Sequence, residues 1–156
     1  MIWTSKLGIK VIVVDDALSS ITGFVSARRS GETGGILIGR YSDDLSVATI
    51  ESATGPGSKS LFGAFSFIRK TSGLQKELNC AFALGRYYLG EWHCHPGENH
   101  FPSRQDVRQM QAIARSKEYN CPEPILIVLG RDNPGELIST FAISNDKLVI
   151  FERGQF

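Results

Sequence analysis

The segment Glu91-Trp-His-Cys-His-Pro-Gly-Glu-Asn-His-Phe-Pro-Ser-Arg-Gln-Asp106 leaves few folds open, because it asks for a strand that runs almost directly into a helix. Tyr87, Tyr88, Leu89 and Trp92 read as a strand leading into His93 and His95. Side chains two apart on a strand point to the same face, so both imidazoles can reach one ion. Pro96 and Gly97 end the strand, and after a short loop Pro102-Ser103 opens a helix. The apolar positions of that helix, Val107, Met110, Ile113 and Ala114, fall at helical spacing. Asp106 then lies in the first turn, where it could supply a carboxylate. Two imidazoles and one carboxylate, with a fourth position left for water, form the ligand set of a catalytic rather than a structural zinc site. Ser103-X-X-Asp106 also reads as a capping box, whose side chains satisfy free N–H groups of the first helical turn.

With 156 residues, 42% of them hydrophobic, the chain is long enough for one well-buried core and short for two, so a single domain over residues 1–156 is expected. A formal net charge of +1 offers no broad footprint for nucleic acid or an anionic membrane. Met1 to Val14 has no basic segment followed by a long apolar core and a small-residue cleavage site, and no run reaches membrane-spanning length. A cytoplasmic protein without nucleic-acid or membrane partners is therefore expected. Cys80, Cys94 and Cys121 are odd in number and widely spaced, which fits reduced thiols better than a disulfide framework. Cys94 lies between the two histidines and so points to the opposite face, which disfavours a cysteine nucleophile oriented by either imidazole.

Taken together these residues carry a family resemblance. His93-X-His95-Pro96, the spacer to Pro102, and Ser103-X-X-Asp106 resemble the metal site of the JAMM/MPN metalloproteases. That family also requires an upstream glutamate, and Glu32-Thr-Gly-Gly-Ile-Leu-Ile-Gly39 is similar to its Glu-X-X-Gly-hydrophobic-Leu-X-Gly segment. The resemblance runs roughly from Ile9 to Phe151. It implies Zn2+ held by His93, His95 and Asp106, with Glu32 as general acid–base and Ser103 donating a hydrogen bond to the developing oxyanion. It also implies a mixed sheet of cytidine-deaminase-like type, and a substrate in which the C-terminus of a ubiquitin-like protein is joined to a lysine. Gly90-Glu-Trp before His93 looks most like the bacterial stand-alone members. Those occur beside conjugation enzymes, including in cyclic-oligonucleotide anti-phage (CBASS) operons, where the protease reverses attachment of a nucleotidyltransferase to its targets. The alternatives are a metallopeptidase of the same fold acting on small peptide or amino-acid conjugates, a non-catalytic MPN scaffold, and a domain merely stabilised by zinc. A deaminase would need His-X-Glu and a later Pro-Cys-X-X-Cys, and Cys121-Pro122 does not provide the latter.

Elsewhere the pattern alternates between strands and helices. Ile9–Val14 reads as a buried strand, and Asp15 or Asp16 as the cap of a helix carrying Leu18, Ile21, Phe24 and Val25. Ala27-Arg-Arg-Ser-Gly31 suggests a basic last turn and a glycine stop. Ile36–Ile38 and Leu45–Ala53 read as antiparallel strands across the Ser42-Asp-Asp turn, with Glu32 at a helix-to-strand junction and Gly34 and Gly35 leaving room for close backbone approach. Gly55-Pro-Gly-Ser-Lys-Ser60 lacks the spacing of a phosphate-binding loop and reads as a loop beside the site. Ala64–Arg69 suggests a short strand and Leu74 to Phe82 a helix ending at Gly85, while Phe62, Phe65 and Phe67 fit either core or groove. Pro124–Leu129 reads as a central strand, and Leu137–Ile143 and Lys147–Glu152 as a hairpin. Glu98 and His100 fall in the loop over the histidines, and Arg104 and Arg108 on a polar helix face. The expected architecture is an α/β domain, a mixed sheet flanked by helices.

Overall fold

The computed structural model describes residues 1–56 and 72–154. The elements run β1 (Ile2–Ser5), β2 (Lys10–Val13), α1 (Asp15–Ala27), β3 (Thr33–Tyr41), β4 (Val47–Ala53), α2 (Ser72–Ala83), β5 (Tyr87–His95), α3 (Arg104–Arg115), β6 (Ile125–Gly130), β7 (Ile138–Ser144) and β8 (Lys147–Arg153). The expected strand at Ala64–Arg69, the three phenylalanines at 62, 65 and 67, and most of the Gly55–Ser60 loop lie outside the described residues.

The chain is α/β with a mixed sheet, as its pattern suggests: β2–β4 and β5–β6 pair in parallel, the other neighbours antiparallel. It departs from the expected sheet flanked by helices, because the strands close on themselves in the order β1-β2-β4-β3-β5-β6-β7-β8. The closing piece is β1, which pairs with both β2 and β8. Four residues are too few to show a period-two pattern, so this strand is invisible until its two neighbours offer it edges. Trp3 anchors it, buried in the main core cluster. Trp3→Ala is expected to cost about 3–5 kcal/mol, read as a lowered urea midpoint, because the cavity would open where the sheet closes.

Alternation sorts the sheet into two faces. Ile125, Ile127 and Leu129 of β6 join Trp92 and Cys94 of β5 in a cluster with Ala17, Ile21 and Val25 of α1, and every strand contributes to it. Leu126 and Val128 point the other way and pack with Met110 and Ile113 of α3. On that same face Ile36 and Ile38 meet Leu78 and Ala81 of α2. Among the described residues, α1 therefore packs on one face of the sheet and α2 and α3 on the other.

The ends of α1 differ from expectation. Its N-cap is Val14, whose hydrocarbon side chain has no oxygen to offer the first-turn amides, while the Val14 amide itself donates to the Ile50 carbonyl. Asp15 and Asp16 instead occupy the first turn, where their charge suits the positive end of the helix dipole. The helix stops at Ala27, before Arg28 and Arg29, so its last turn holds no basic residue. The Val25 carbonyl accepts from the amide of the C-cap Arg28 at 3.2 Å and from the Arg131 side chain at 3.0 Å, and Arg131 also donates to the carbonyls of Arg28 and, at 2.6 Å, of Gly31 in the segment that follows.

β5 carries the irregularity that matters most. Leu37 pairs with Gly90 and Ile38 with Tyr88, so Leu89 is an extra residue, a β-bulge. The bulge resets the alternation, turning Leu89 with Trp92 and Cys94 toward α1 and leaving Tyr88 on the face of Glu91.

Candidate metal centre

His93 and His95 end β5 on the α3 face, and both are buried. β5 is flanked there by β3 and β6, with Gly34 and Val128 opposite His93. Asp106 reaches them from the first turn of α3. Its position follows from the capping box, which is fully formed: Ser103 Oγ accepts from the Asp106 amide at 3.1 Å, and Asp106 Oδ2 accepts from the Ser103 amide at 2.7 Å. The cap and the ligand reading are therefore compatible, since the cap holds the carboxylate toward the histidines. Asp106 Oδ1 lies 2.8 Å from His93 Nδ1, and Oδ2 lies 3.2 Å from His95 Nε2.

Candidate ligand atoms of His93, His95 and Asp106 all lie within 4.8 Å of one another. Asp106 turns one carboxylate oxygen to each imidazole, and two imidazoles with a carboxylate are a donor set that suits zinc. The electrostatics agree. Burial alone would raise the Asp106 carboxyl, but hydrogen bonds from His93 and His95 outweigh it and hold the group well below the usual carboxylate range. Burial would likewise lower His93, yet Asp106 and Glu91 push it up to about 9.

Glu32 lies just before β3 and is exposed. Thr33, the first residue of β3, pairs with Cys94 and Gly34 with His93, so Glu32 directly precedes the strand that lies beside the two histidines. Ser103 is exposed at the mouth of a groove of about 300 Å³ lined also by Pro102, Arg104, Val107, Arg108 and Leu148. Arg104 and Arg108, expected to be only a polar helix face, thus edge a groove beside Ser103. His100 is half-buried, 2.7 Å from Ser139 Oγ. Cys94 is enclosed in the α1 cluster, where burial raises its thiol pKa despite the opposing influence of Arg131. Trp92 is core, as its phase suggests, and donates to the Thr54 carbonyl at 2.9 Å.

Sequence reasoning passed over Glu91. It is 1% exposed, and its carboxyl reaches His93 Nε2 at 3.1 Å, Gln109 Nε2 at 3.0 Å and the Tyr88 hydroxyl at 3.4 Å. Burial is the largest influence on its pKa and raises it, with His93 pulling the other way. The signal was present: Glu91, His93 and His95 share one strand parity, and Gln109 follows Asp106 by three residues on α3.

Residues 15–143 match the family model of prokaryotic homologs of the JAB domain. The chain belongs to this family. Among curated JAB-family relatives it is 45% identical over 113 residues to a CD-NTase/cGAS isopeptidase of Enterobacter hormaechei, an alignment covering 72% of this chain and 63% of that one. It is 35% identical over 102 residues to the probable metalloprotease y4qB of Sinorhizobium fredii, covering 63% and 62%. The chain thus spans less than two thirds of the length of either relative. The solution structure of a Desulfitobacterium hafniense protein shares the fold with a TM-score of 0.67 at 18% identity, covering 92% of this chain and 90% of that one. A Salinibacter ruber protein does so with a TM-score of 0.58 at 18% identity, covering 92% and 88%. Strands β1, β2 and β8, which close the sheet, fall outside the JAB match. No helix among the described residues is long and apolar enough to cross a membrane.

Proposed function

We propose that this JAB-family chain is a zinc-dependent deconjugating protease of cytidine-deaminase-like architecture. It cleaves the isopeptide bond between the C-terminus of a ubiquitin-like or nucleotidyltransferase-type protein and its target, in the cytoplasm and as part of anti-phage conjugation. The observation that carries this reading is the convergence of His93, His95 and Asp106 within 4.8 Å. The isopeptidase name of a relative 45% identical in sequence supports the choice of bond.

His93, His95 and Asp106 would hold the ion, and zinc bound there supplies Lewis-acid polarisation and a water acidic enough to be used at neutral pH. Glu32 takes the proton of the attacking water and delivers it to the leaving lysine amine. Ser103 Oγ already accepts from the Asp106 amide, which leaves its own O–H free to donate to the carbonyl oxygen as negative charge gathers there. The groove edged by Arg104 and Arg108 adjoins that hydroxyl and can receive the chain next to the scissile bond.

Ser103→Ala is expected to lower kcat by about 10²–10³ through loss of that donor. It should also cost on the order of 1 kcal/mol of stability through loss of the cap. A stability loss without a kcat loss would leave Ser103 a cap alone. Metal analysis of the purified protein is expected to find one zinc per chain, absent from His95→Ala. In the native host, Glu32→Gln expressed in place of wild type should accumulate slower-migrating conjugates that added wild type removes, and mass spectrometry of the branched peptide would name both partners. Zinc binding with no conjugate accumulating would shift the reading to small peptide conjugates, testable on a panel of short peptides. Zinc binding with no hydrolysis of any kind would favour a scaffold or a zinc-stabilised domain.

A further inference from the structure

A buried carboxyl group is costly unless it has work or partners, and an apolar residue of similar size is commonly as stable or more so. Glu91 has no part in the mechanism above, yet it lies fully enclosed between β5 and α3. Its hydrogen-bond partners among the described residues are His93, Gln109 and Tyr88. The two nitrogens of His93 are thereby divided: Nδ1 faces Asp106 at 2.8 Å, on the side of the candidate ligand set, and Nε2 faces Glu91 Oε2 at 3.1 Å.

We infer that Glu91 is a positioning residue for the metal site: it accepts a hydrogen bond from His93 Nε2–H and so fixes the tautomer in which the Nδ1 lone pair is free to ligate. The inference rests on reading His93, His95 and Asp106 as the ligand set. Metal-bound histidines commonly donate their outer N–H to a carboxylate, which sets the ring's orientation and raises its basicity. Here the carboxylate is held in turn. Gln109 donates to the same oxygen that receives His93, and Tyr88 donates to the other at 3.4 Å, so the acceptor is clamped from α3 and from its own strand. Asp106 and Gln109 are three residues apart on α3, so one helix face presents both a ligand and the clamp on its neighbour's support. The Leu89 bulge brings Tyr88 into this set, since without the extra residue the tyrosine would point toward α1. His95 differs: its Nδ1 has the neutral Asn99 amide at 3.4 Å. The two histidines are thus unequal ligands, and His93 is the one braced by an acidic group.

Two measurements on the full chain test this. The first uses wild-type protein labelled with 15N in its histidines and loaded with zinc; long-range proton–nitrogen spectra should show His93 protonated at Nε2 and bare at Nδ1. A proton on Nδ1 overturns the inference whatever any variant does. The second is zinc affinity by competition with a chromophoric chelator. Glu91→Leu is expected to bind zinc about 10–100-fold more weakly, with Glu91→Gln, which retains an oxygen acceptor, falling between it and wild type. Folded variants of lowered Tm but wild-type zinc affinity would make Glu91 mere packing between β5 and α3, and would overturn the proposal. Failure of the wild type itself to take up zinc would instead defeat the ligand reading on which the inference stands.

Discussion

Glu32→Gln is expected to keep its zinc at the wild-type stoichiometry and to lose turnover by about 10²–10⁴-fold, the usual scale of a positioned general acid–base. The reason lies in where the residue sits. It is exposed, one residue before the first β3–β5 pair, and is not one of the three residues placed to hold a metal ion. Its loss should therefore spare both fold and metal. The amide of glutamine retains size and hydrogen-bonding capacity but cannot carry a proton from water to an amine. A purified Glu32→Gln variant that cleaves a conjugate at the wild-type rate would remove Glu32 from the mechanism; one that also loses zinc would make it a structural support. Neither outcome would touch the His93, His95 and Asp106 assignment, which is tested by metal content.

Gly90→Ala is expected to destabilise the fold by on the order of 4 kcal/mol or more, comparable with the whole stability of many domains, and to yield little folded protein. A β-carbon at Gly90 would sit 1.8 Å from the Ile125 carbonyl oxygen, a backbone atom of the adjacent strand. Its φ of +145° is in addition a conformation that side-chain-bearing residues rarely adopt. The residue occupies the bulge where β5 meets both β3 and β6, so moving either neighbour would disturb the strand that carries both histidines. Gly85 provides the comparison. It too has positive φ, +70°, but nothing lies within 4 Å, so Gly85→Ala should cost only about 1–2 kcal/mol. Equal melting temperatures for the two variants would show that the β5–β6 contact yields more readily than its geometry implies.

The ligand set could be read directly because its logic is local. His93 and His95 share a face by strand parity, and Ser103-X-X-Asp106 carries its own geometry, with the amide of the N-cap Ser103 drawing the carboxylate into place. Glu32 was a different matter, since only the family resemblance picked it out; the structure puts it directly before β3, the strand that pairs with the histidine strand. Glu91 shows the limit in the other direction. Parity placed it beside the histidines, but a glutamate in a strand is ordinarily a solvated one, and only the packing of α3 with Gln109 encloses it.

The sequence by itself determined the α/β class, the strands and helices of strong period, the cap that aims Asp106 and the shared face of the two histidines, all consequences of backbone geometry within a few residues. Tertiary structure alone decided what depends on distant partners. β1 closes the sheet because β2 and β8 offer it edges. The Val25 carbonyl at the C-terminus of α1 is bonded by the side chain of Arg131, more than a hundred residues away in sequence, as well as by the amide of its C-cap Arg28. The Leu89 bulge turns Tyr88 toward Glu91 because β5 must match β3 on either side of Gly90. In each case the deciding energy is the pairing of a backbone or buried polar group with a partner far along the chain, which no local pattern encodes.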